Sequence, residues 1–297
     1  MASILTNSSA LTALQTLAST NKALETTQNR ISTGLRIGEA SDNASYWSIA
    51  TSMKSDNKAN SAVQDALGLG AGKVDTAYTA INDIKDQVDK MKTLLISAQG
   101  ASLEDQQKIS TEITAIQGQI KSSATNANYA GANLLVNDGA ATEDLKVVAS
   151  YNRVGTDVTI DTVDVAAADV QVLDTAGTGG IVGGLLASTF FDTTGTTALD
   201  SAAIKTALES VETALGKLTT GAATLGAAKS RIETQTSFIS KLSDSVEKGV
   251  GQLVDADMNA ESARLSALQT QQQLGIQALS IANSSSQSIL SLFAANR

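Results

Sequence analysis

Residues 211–253 read VETALGKLTTGAATLGAAKSRIETQTSFISKLSDSVEKGVGQL and carry an apolar side chain at every seventh position. The series comprises Val211, Leu218, Leu225, Ile232, Ile239, Val246 and Leu253. Because apolar residues make up 42% of the chain, seven consecutive matches have a chance probability of roughly 0.002 in one register. A strict seven-residue repeat keeps its apolar seam against a partner only when the helices supercoil. The stretch therefore predicts a coiled-coil helix over about residues 200–254.

The first half of the chain carries a second series with the same spacing. Its members are Leu67, Val74, Ile81, Val88 and Leu95. It predicts a partner helix over about residues 46–100, and at about 1.5 Å per residue each long helix would measure roughly 80 Å. A third helix is expected over 103–127, with Gly100 before it and Ser102 as its N-cap. We predict a mainly α fold, a long antiparallel helical coiled-coil rod built from the N- and C-terminal segments.

The chain has 297 residues and contains no proline, histidine or cysteine. Proline breaks helix interiors, so its absence agrees with long uninterrupted helices. Without His or Cys there is no Ser-His-Asp triad, no Cys nucleophile, no disulfide and no metal site with His or Cys ligands. We therefore expect no catalytic residues, no cofactor and no metal.

Charge and hydropathy exclude further classes. A net charge of −9 argues against nucleic acid as the main partner. No apolar run reaches the roughly 18 residues of a membrane span, so no membrane association is expected. The N-terminus lacks the basic flank and apolar segment of a cleavable signal peptide. The chain is therefore expected either to stay in the cytosol or to leave by a route that reads no such peptide.

Both ends of the chain combine a narrow apolar stripe with many Ser, Thr, Asn and Gln residues. The N-terminal stripe holds Leu14, Leu17, Leu24, Ile31 and Leu35, and the C-terminal stripe holds Leu265, Leu268, Leu279, Ile289, Leu290 and Phe293. Such weak helix formers give marginal helices in isolation. Our hypothesis is that both ends are largely unfolded in the monomer and become helical on assembly, with these side chains packing subunits together.

Residues 138–198 interrupt the helical pattern with Gly, Thr, Asp and Val. Alternating residues predict a strand over 158–165 and a shorter one over 170–172, with turns at Asn137-Asp138-Gly139 and Thr178-Gly179-Gly180. We expect a small β-rich insertion at the outer tip of the rod, since helical segments flank it on both sides.

Three motifs imitate ligand sites and fail on spacing. The run Gly68–Lys73 lacks the Walker pattern, so a bend or a close helix contact is the better interpretation. Residues 177–183 miss the dinucleotide pattern and are expected to be a loop. The run Asp255–Asn259 opens like a calcium loop, but Ala260 stands at the glycine position, and capping of the last helix fits better.

Several segments resemble bacterial flagellins. Residues 30–37, RISTGLRI, are similar to the N-terminal signature RLSSGLRI of that family, and residues 225–233, LGAAKSRIE, and 255–258, DADM, resemble its C-terminal motifs. The signature positions are Arg30, Gly34, Leu35, Arg36, Asp42, Asp255, Asp257 and Met258. The resemblance covers about residues 1–140 and 200–297 in the right order, and the middle takes no part in it.

The resemblance implies a structural subunit that polymerises into the flagellar filament for swimming and is exported unfolded by flagellar type III secretion. Residues 1–42 and 256–297 would form the inner tube, called D0. Residues 43–137 and 199–255 would form the helical rod, called D1, and 138–198 the variable outer region. The implied partners are other copies of the chain, other flagellins, hook-associated and cap proteins, and an export chaperone at the C-terminal segment.

The sequence departs from the family pattern at several places. Tyr46-Trp47 stands where Gly-Leu is usual. In the segment that Toll-like innate receptors read in enteric flagellins, Lys90 and Lys92 replace arginines and Thr93 replaces a glutamate. Lysine does not reproduce the arginine fork, so weak receptor recognition is expected.

Three other functions compete with the filament subunit. A hook–filament junction protein shares both terminal patterns. A metalloprotease in the insertion would need His-Glu-x-x-His, which a chain without His does not contain. A secreted coiled-coil adhesin is the third alternative.

Overall fold

The structure is a computed structural model that describes residues 7–155, 157–188, 190 and 201–294, with side chains described as far as residue 285. The chain forms two compact units. The first comprises residues 1–57 and 245–297, and the second residues 58–244. The predicted domain boundaries at 42/43 and 255/256 both lie within the first unit.

Long helices dominate the chain. Helix α1 spans Ser8–Thr33, α2 Ala44–Ala98, α3 Leu103–Asn126, α6 Ser201–Val254 and α7 Met258–Ala294. These bounds confirm the mainly α prediction and both heptad helices. Ser102 accepts a hydrogen bond from the Asp105 N–H, and Gly100 has a φ of 76°, so the cap and break predicted before α3 are both present.

Within the second unit, α2 and α6 lie antiparallel. Lys92 pairs with Glu212 near one end of their contact, and Asp75 pairs with Lys229 further along. Residues later in α2 therefore contact residues earlier in α6. The heptad positions of this unit are buried between the helices: Leu67, Val74, Ile81, Val88, Leu95, Val211, Leu218, Leu225, Ile232 and Ile239. They form one hydrophobic core together with α3 and the insertion.

Between α3 and α6, the described residues form two hairpins and two short helices. The small hairpin pairs β1, Asn128–Tyr129, with β2, Ala132–Asn133, and the larger one pairs β3, Leu145–Val154, with β4, Asp157–Val165. A 3-10 turn at Ala141–Glu143 precedes β3, and α4, Ala167–Val170, and α5, Gly180–Ala187, follow β4. Strand β4 matches the alternation at 158–165.

Two local predictions in the insertion were wrong. The strand expected at 170–172 is the end of α4 followed by an irregular segment, in which the Val172 and Leu173 N–H groups donate to the Leu135 carbonyl. The loop expected at 177–183 is in part helix α5, which starts at Gly180 with a φ of 82°. In both cases a short β-branched or glycine-rich run carries too little periodicity to distinguish helix from strand or loop.

Glycines in α2 allow the two hairpins to pack directly against the helix backbone. A Cβ added at Gly70 would lie 2.5 Å from both γ carbons of Val147 in β3, and one at Gly72 would lie 2.5 Å from the Tyr129 ring. Gly68, one turn before Gly72 in the same helix, has nothing within 4 Å. The run Gly68–Lys73 is therefore a site of close contact and not a phosphate loop.

In the first unit, α1 and α7 pair along their length. Asn21 lies opposite Gln272, whose Nε2 donates to Asn21 Oδ1 at 2.8 Å, and Leu17 contacts Gly275. A separate small core of Ile37, Ala50, Val250 and Val254 lies beyond the connector end of this pair. The last two heptad positions, Val246 and Leu253, are half-buried against that core.

Candidate assembly surfaces: the paired connectors and the terminal helices

Two connectors, residues 34–43 and 255–257, are held together by backbone hydrogen bonds. Gly34, with a φ of 72°, ends α1 by donating its N–H to the Arg30 carbonyl. The Ala256 N–H donates to the Gly34 carbonyl at 2.9 Å, and the Arg36 and Ile37 N–H groups both donate to the Val254 carbonyl. Leu35 and Asp255 form an antiparallel bridge. The connectors therefore hold the C-terminal end of α1 beside the N-terminal end of α7.

Acidic and amide side chains cap the helices that leave the connectors. Asp257 accepts from the Asn259 and Ala260 N–H groups and so starts α7. Asn43 accepts from the Tyr46 N–H at the start of α2. Asp42 accepts from the Gly38 N–H at 2.9 Å and the Glu39 N–H at 3.1 Å. These backbone hydrogen bonds lower the pKa of Asp42, so its carboxylate stays ionised to lower pH than an ordinary aspartate.

The structure brings the predicted signature residues together around these connectors. The Arg36 guanidinium donates to the Leu253 carbonyl at 2.9 Å. Arg30 reaches across to α7, where its Nη1 lies 3.2 Å from Glu261 Oε1. Met258 stands at the first position of α7 and is exposed. Glu261, which belongs to none of the sequence motifs, is therefore part of the same cluster.

The terminal helices keep much of their apolar surface uncovered. Of the predicted D0 packing residues, Leu14 is exposed and the following are half-buried: Leu17, Leu24, Ile31, Leu35, Leu265, Leu268 and Leu279. The side chains of Ile289, Leu290 and Phe293 lie outside the described residues. Further apolar side chains off the predicted stripes are more than half exposed: Leu11, Leu274, Ile276 and Ile281. A single α1–α7 pair therefore does not satisfy its own apolar residues.

The three receptor-region positions lie on α2 in the second unit. Lys90 and Thr93 are exposed. Lys92 is engaged within the chain, with its Nζ 2.5 Å from Glu212 Oε1 on α6. The hydrogen bond that Lys92 donates to Glu212 raises the pKa of Lys92, so its ammonium stays protonated to higher pH than that of an ordinary lysine.

Neither a metal-ion site nor a membrane-spanning helix is found among the described residues. Residues 7–155, 157–188, 190 and 201–294 contain no group of three or more acidic side chains placed to hold a metal ion. None of the helices in this part of the chain has the length and apolar character that a membrane crossing requires. A shallow concavity of about 740 Å³ in the second unit is lined by Asp75 and Lys229, which are already paired with each other.

Comparisons with known proteins agree with the helical ends and the connectors. Residues 4–140 match the model of the bacterial flagellin N-terminal helical region, and residues 208–293 match the model of the C-terminal helical region. A flagellin of Brucella melitensis biotype 1 is 69% identical over 293 residues, which is 99% of each chain.

Two relatives from Rhizobium meliloti are more distant. Flagellin C of strain 1021 is 44% identical over 320 residues, covering 99% of each chain, and a Flagellin A is 40% identical over 399 residues, covering 99% of this chain and 100% of that protein. These matches do not favour the junction-protein alternative. The chain therefore belongs to the bacterial flagellin family, and it is a structural subunit of the extracellular flagellar filament rather than an enzyme.

Proposed function

We propose that the chain builds the filament through its terminal helices, whose exposed apolar side chains are covered by the same helices of neighbouring copies. The single observation that carries this proposal is the exposure of Leu11, Leu14, Leu274, Ile276 and Ile281, at 54–68% of each residue's full surface. Burying a leucine or isoleucine side chain contributes about 1.5–3 kcal/mol. Five such residues in each subunit would supply a substantial driving force for polymerisation.

In this proposal the domains follow the sequence prediction. Residues 1–42 and 256–297 form the inner tube, 43–137 and 199–255 the surrounding rod, and 138–198 the outer surface. The outer half of the β3–β4 hairpin is exposed, including Val154, Val158 and Ile160. A solvent-facing position of the insertion is compatible with that exposure.

We further propose that the terminal helices fold during assembly. Helix α1 contains a high proportion of Ser, Thr and Asn, and several of its threonine hydroxyls donate to the carbonyl four residues earlier, as Thr12 does to Ser8 and Thr16 does to Thr12. Such bonds and residues give little intrinsic helix stability. An export route that passes an unfolded chain, followed by folding at the growing end, suits helices of this kind. The absence of proline also removes slow cis/trans isomerisation from that step.

The proposed partners are of two kinds. Hook-associated and cap proteins would meet the same terminal helices at the two ends of the filament. An export chaperone would bind the C-terminal segment while it is unfolded and its apolar residues are free. Electron microscopy of filaments grown from the purified chain tests the self-assembly proposal, because the five side chains should then be covered by neighbouring copies.

Recognition by Toll-like innate receptors is expected to be weak. Lys92 is held by Glu212, and an exposed Thr93 offers no charge where enteric flagellins have a glutamate. In a cell reporter assay the purified monomer should give much less response than an enteric flagellin at the same concentration. A response of equal potency would contradict this expectation.

A further inference from the structure

We propose that the Arg30–Glu261 ion pair sets the register in which α1 and α7 pair, and so selects one alignment of the two chain ends. The inference rests on the proposed function, in which these helices pair as the subunit assembles. It concerns which alignment forms, whereas the proposed function concerns what drives the pairing.

The apolar seam between α1 and α7 contains little information about alignment. The buried side chains on α1 are small, namely Ala10, Thr20 and Thr27, and the leucines around them are half-buried or exposed. Small side chains at a helix contact accept a neighbour in several positions because they fill no specific hole. A slip of one heptad would therefore be opposed mainly by polar contacts, namely the side-chain pairs between the helices and the connector hydrogen bonds beside them.

The ion pair behaves differently because its carboxylate is enclosed, although the Arg30 side chain is 27% exposed. Glu261 is only 8% exposed, and its Oε1 lies 3.2 Å from Arg30 Nη1 and 3.7 Å from Arg264 Nη1. Glu261 Oε2 and Arg30 Nε are buried and have no hydrogen-bond partner among the described residues. A carboxylate so enclosed has lost most of its water, and it is tolerated only while its partner is in place.

A heptad slip in either direction separates the pair. In the α1–α7 alignment observed, Arg30 lies opposite Glu261, so a seven-residue shift one way would bring Ala23 opposite Glu261. The same shift the other way would bring Leu268 opposite Arg30. Each slip leaves a charge against an apolar side chain. Buried polar residues in helix pairs commonly fix register in this way, at some cost in stability.

A second polar contact supports the same alignment. Gln272 donates to Asn21 at 2.8 Å, about nine residues along α1 from Arg30. Both residues are more accessible than Glu261, so water can replace their contact in a slipped pair. The ion pair is therefore the stronger determinant of the two.

The absence of cysteine from the chain allows the register to be measured directly. A Cβ built at Gly275 lies 4.0 Å from the Leu17 Cβ, within the range of about 3.5–4.5 Å that a disulfide needs. The variant Leu17→Cys with Gly275→Cys therefore reports the observed alignment. Leu24→Cys or Ala10→Cys with Gly275→Cys reports a heptad slip, since these positions are displaced by about 10 Å along the helix.

The test replaces the ion pair in each reporter by Arg30→Leu with Glu261→Leu, and the subunits are seeded onto wild-type filaments and oxidised. Peptide mapping separates cross-links within one subunit from those between subunits. We expect the ratio of the 17–275 cross-link to the slipped cross-links to fall about tenfold or more, while filaments still form, because an apolar pair can stabilise without selecting an alignment. The matched control, Lys22→Leu with Glu25→Leu, removes one exposed charge of each sign from α1 and should leave the ratio unchanged.

An unchanged ratio in the Arg30→Leu, Glu261→Leu background would overturn the proposal. If that variant does not join filaments, the exchanged pair Arg30→Glu with Glu261→Arg decides the question. Restored charge pairing should recover the 17–275 cross-link relative to either single variant, and a failure to recover it would also overturn the proposal. A 17–275 cross-link that forms fully in the free monomer would contradict folding on assembly while leaving the register claim intact.

Discussion

A chain lacking residues 1–35 should form no filaments, although the helices of its second unit should persist. The deletion removes α1 and with it the partner of α7, so the apolar residues of α7 lose both their intrachain contact and the α1 surfaces of neighbouring copies. It leaves the second unit, residues 58–244, with its core unchanged. Marginal helices form cooperatively with their partners. Assembly should therefore be lost entirely and not merely weakened.

The deletion is checked by electron microscopy and far-ultraviolet circular dichroism, with full-length protein prepared in parallel as the control. The shortened chain should stay soluble and strongly helical while no filaments appear after salt or seeds are added. Filaments of normal length from the shortened chain would contradict the role assigned to α1.

Replacement of Gly70 by alanine should destabilise the second unit by about 1–3 kcal/mol, because the added methyl group meets Val147 in a packed core. Both γ carbons of Val147 lie 2.5 Å from the new Cβ position, and Val147 is only 4% exposed. The contact joins α2 to strand β3, so the insertion must shift or the valine must leave its site. Chemical denaturation monitored by circular dichroism measures the change.

Gly68 provides the matched control in the same helix. Gly68→Ala adds the same methyl group where nothing lies within 4 Å. Alanine favours the helix over glycine by about 0.5–1 kcal/mol, so this variant should be slightly more stable than the natural chain. Equal effects of the two substitutions would show that close packing against β3 is not what requires glycine at position 70.

Much of the helical architecture follows from periodicity that is visible in the sequence. The heptad positions from Leu67 to Leu95 and from Val211 to Ile239 are buried because a seven-residue repeat must face a partner. The start of α3 follows from local chemistry, since the Ser102 hydroxyl can satisfy a free N–H within three residues. Features of this kind depend on residues close together in the chain, so the sequence alone can predict them.

Contacts between residues far apart in the chain could not be predicted from the sequence in this way. Arg30 was singled out through its resemblance to a family signature, but its partner Glu261 stands 231 positions away and carries no local signal. Strand β3 was not predicted because the apolar Val148 blurs the alternation of the buried Leu145, Val147 and Ala149. The exposed residues Leu11 and Ile276 lie off the heptad stripe, and only a structure shows that the α1–α7 pair leaves them uncovered.

The central claim is that the apolar faces of α1 and α7 are covered by other copies of the chain. Electron microscopy of filaments grown from the purified full-length protein, carried to a resolution that shows side chains, tests it most directly. We predict ordered helical filaments in which Leu11, Leu14, Leu274, Ile276 and Ile281 contact neighbouring subunits and lose their exposure to water. Persistent monomers, or filaments in which these five side chains remain exposed, would contradict the claim.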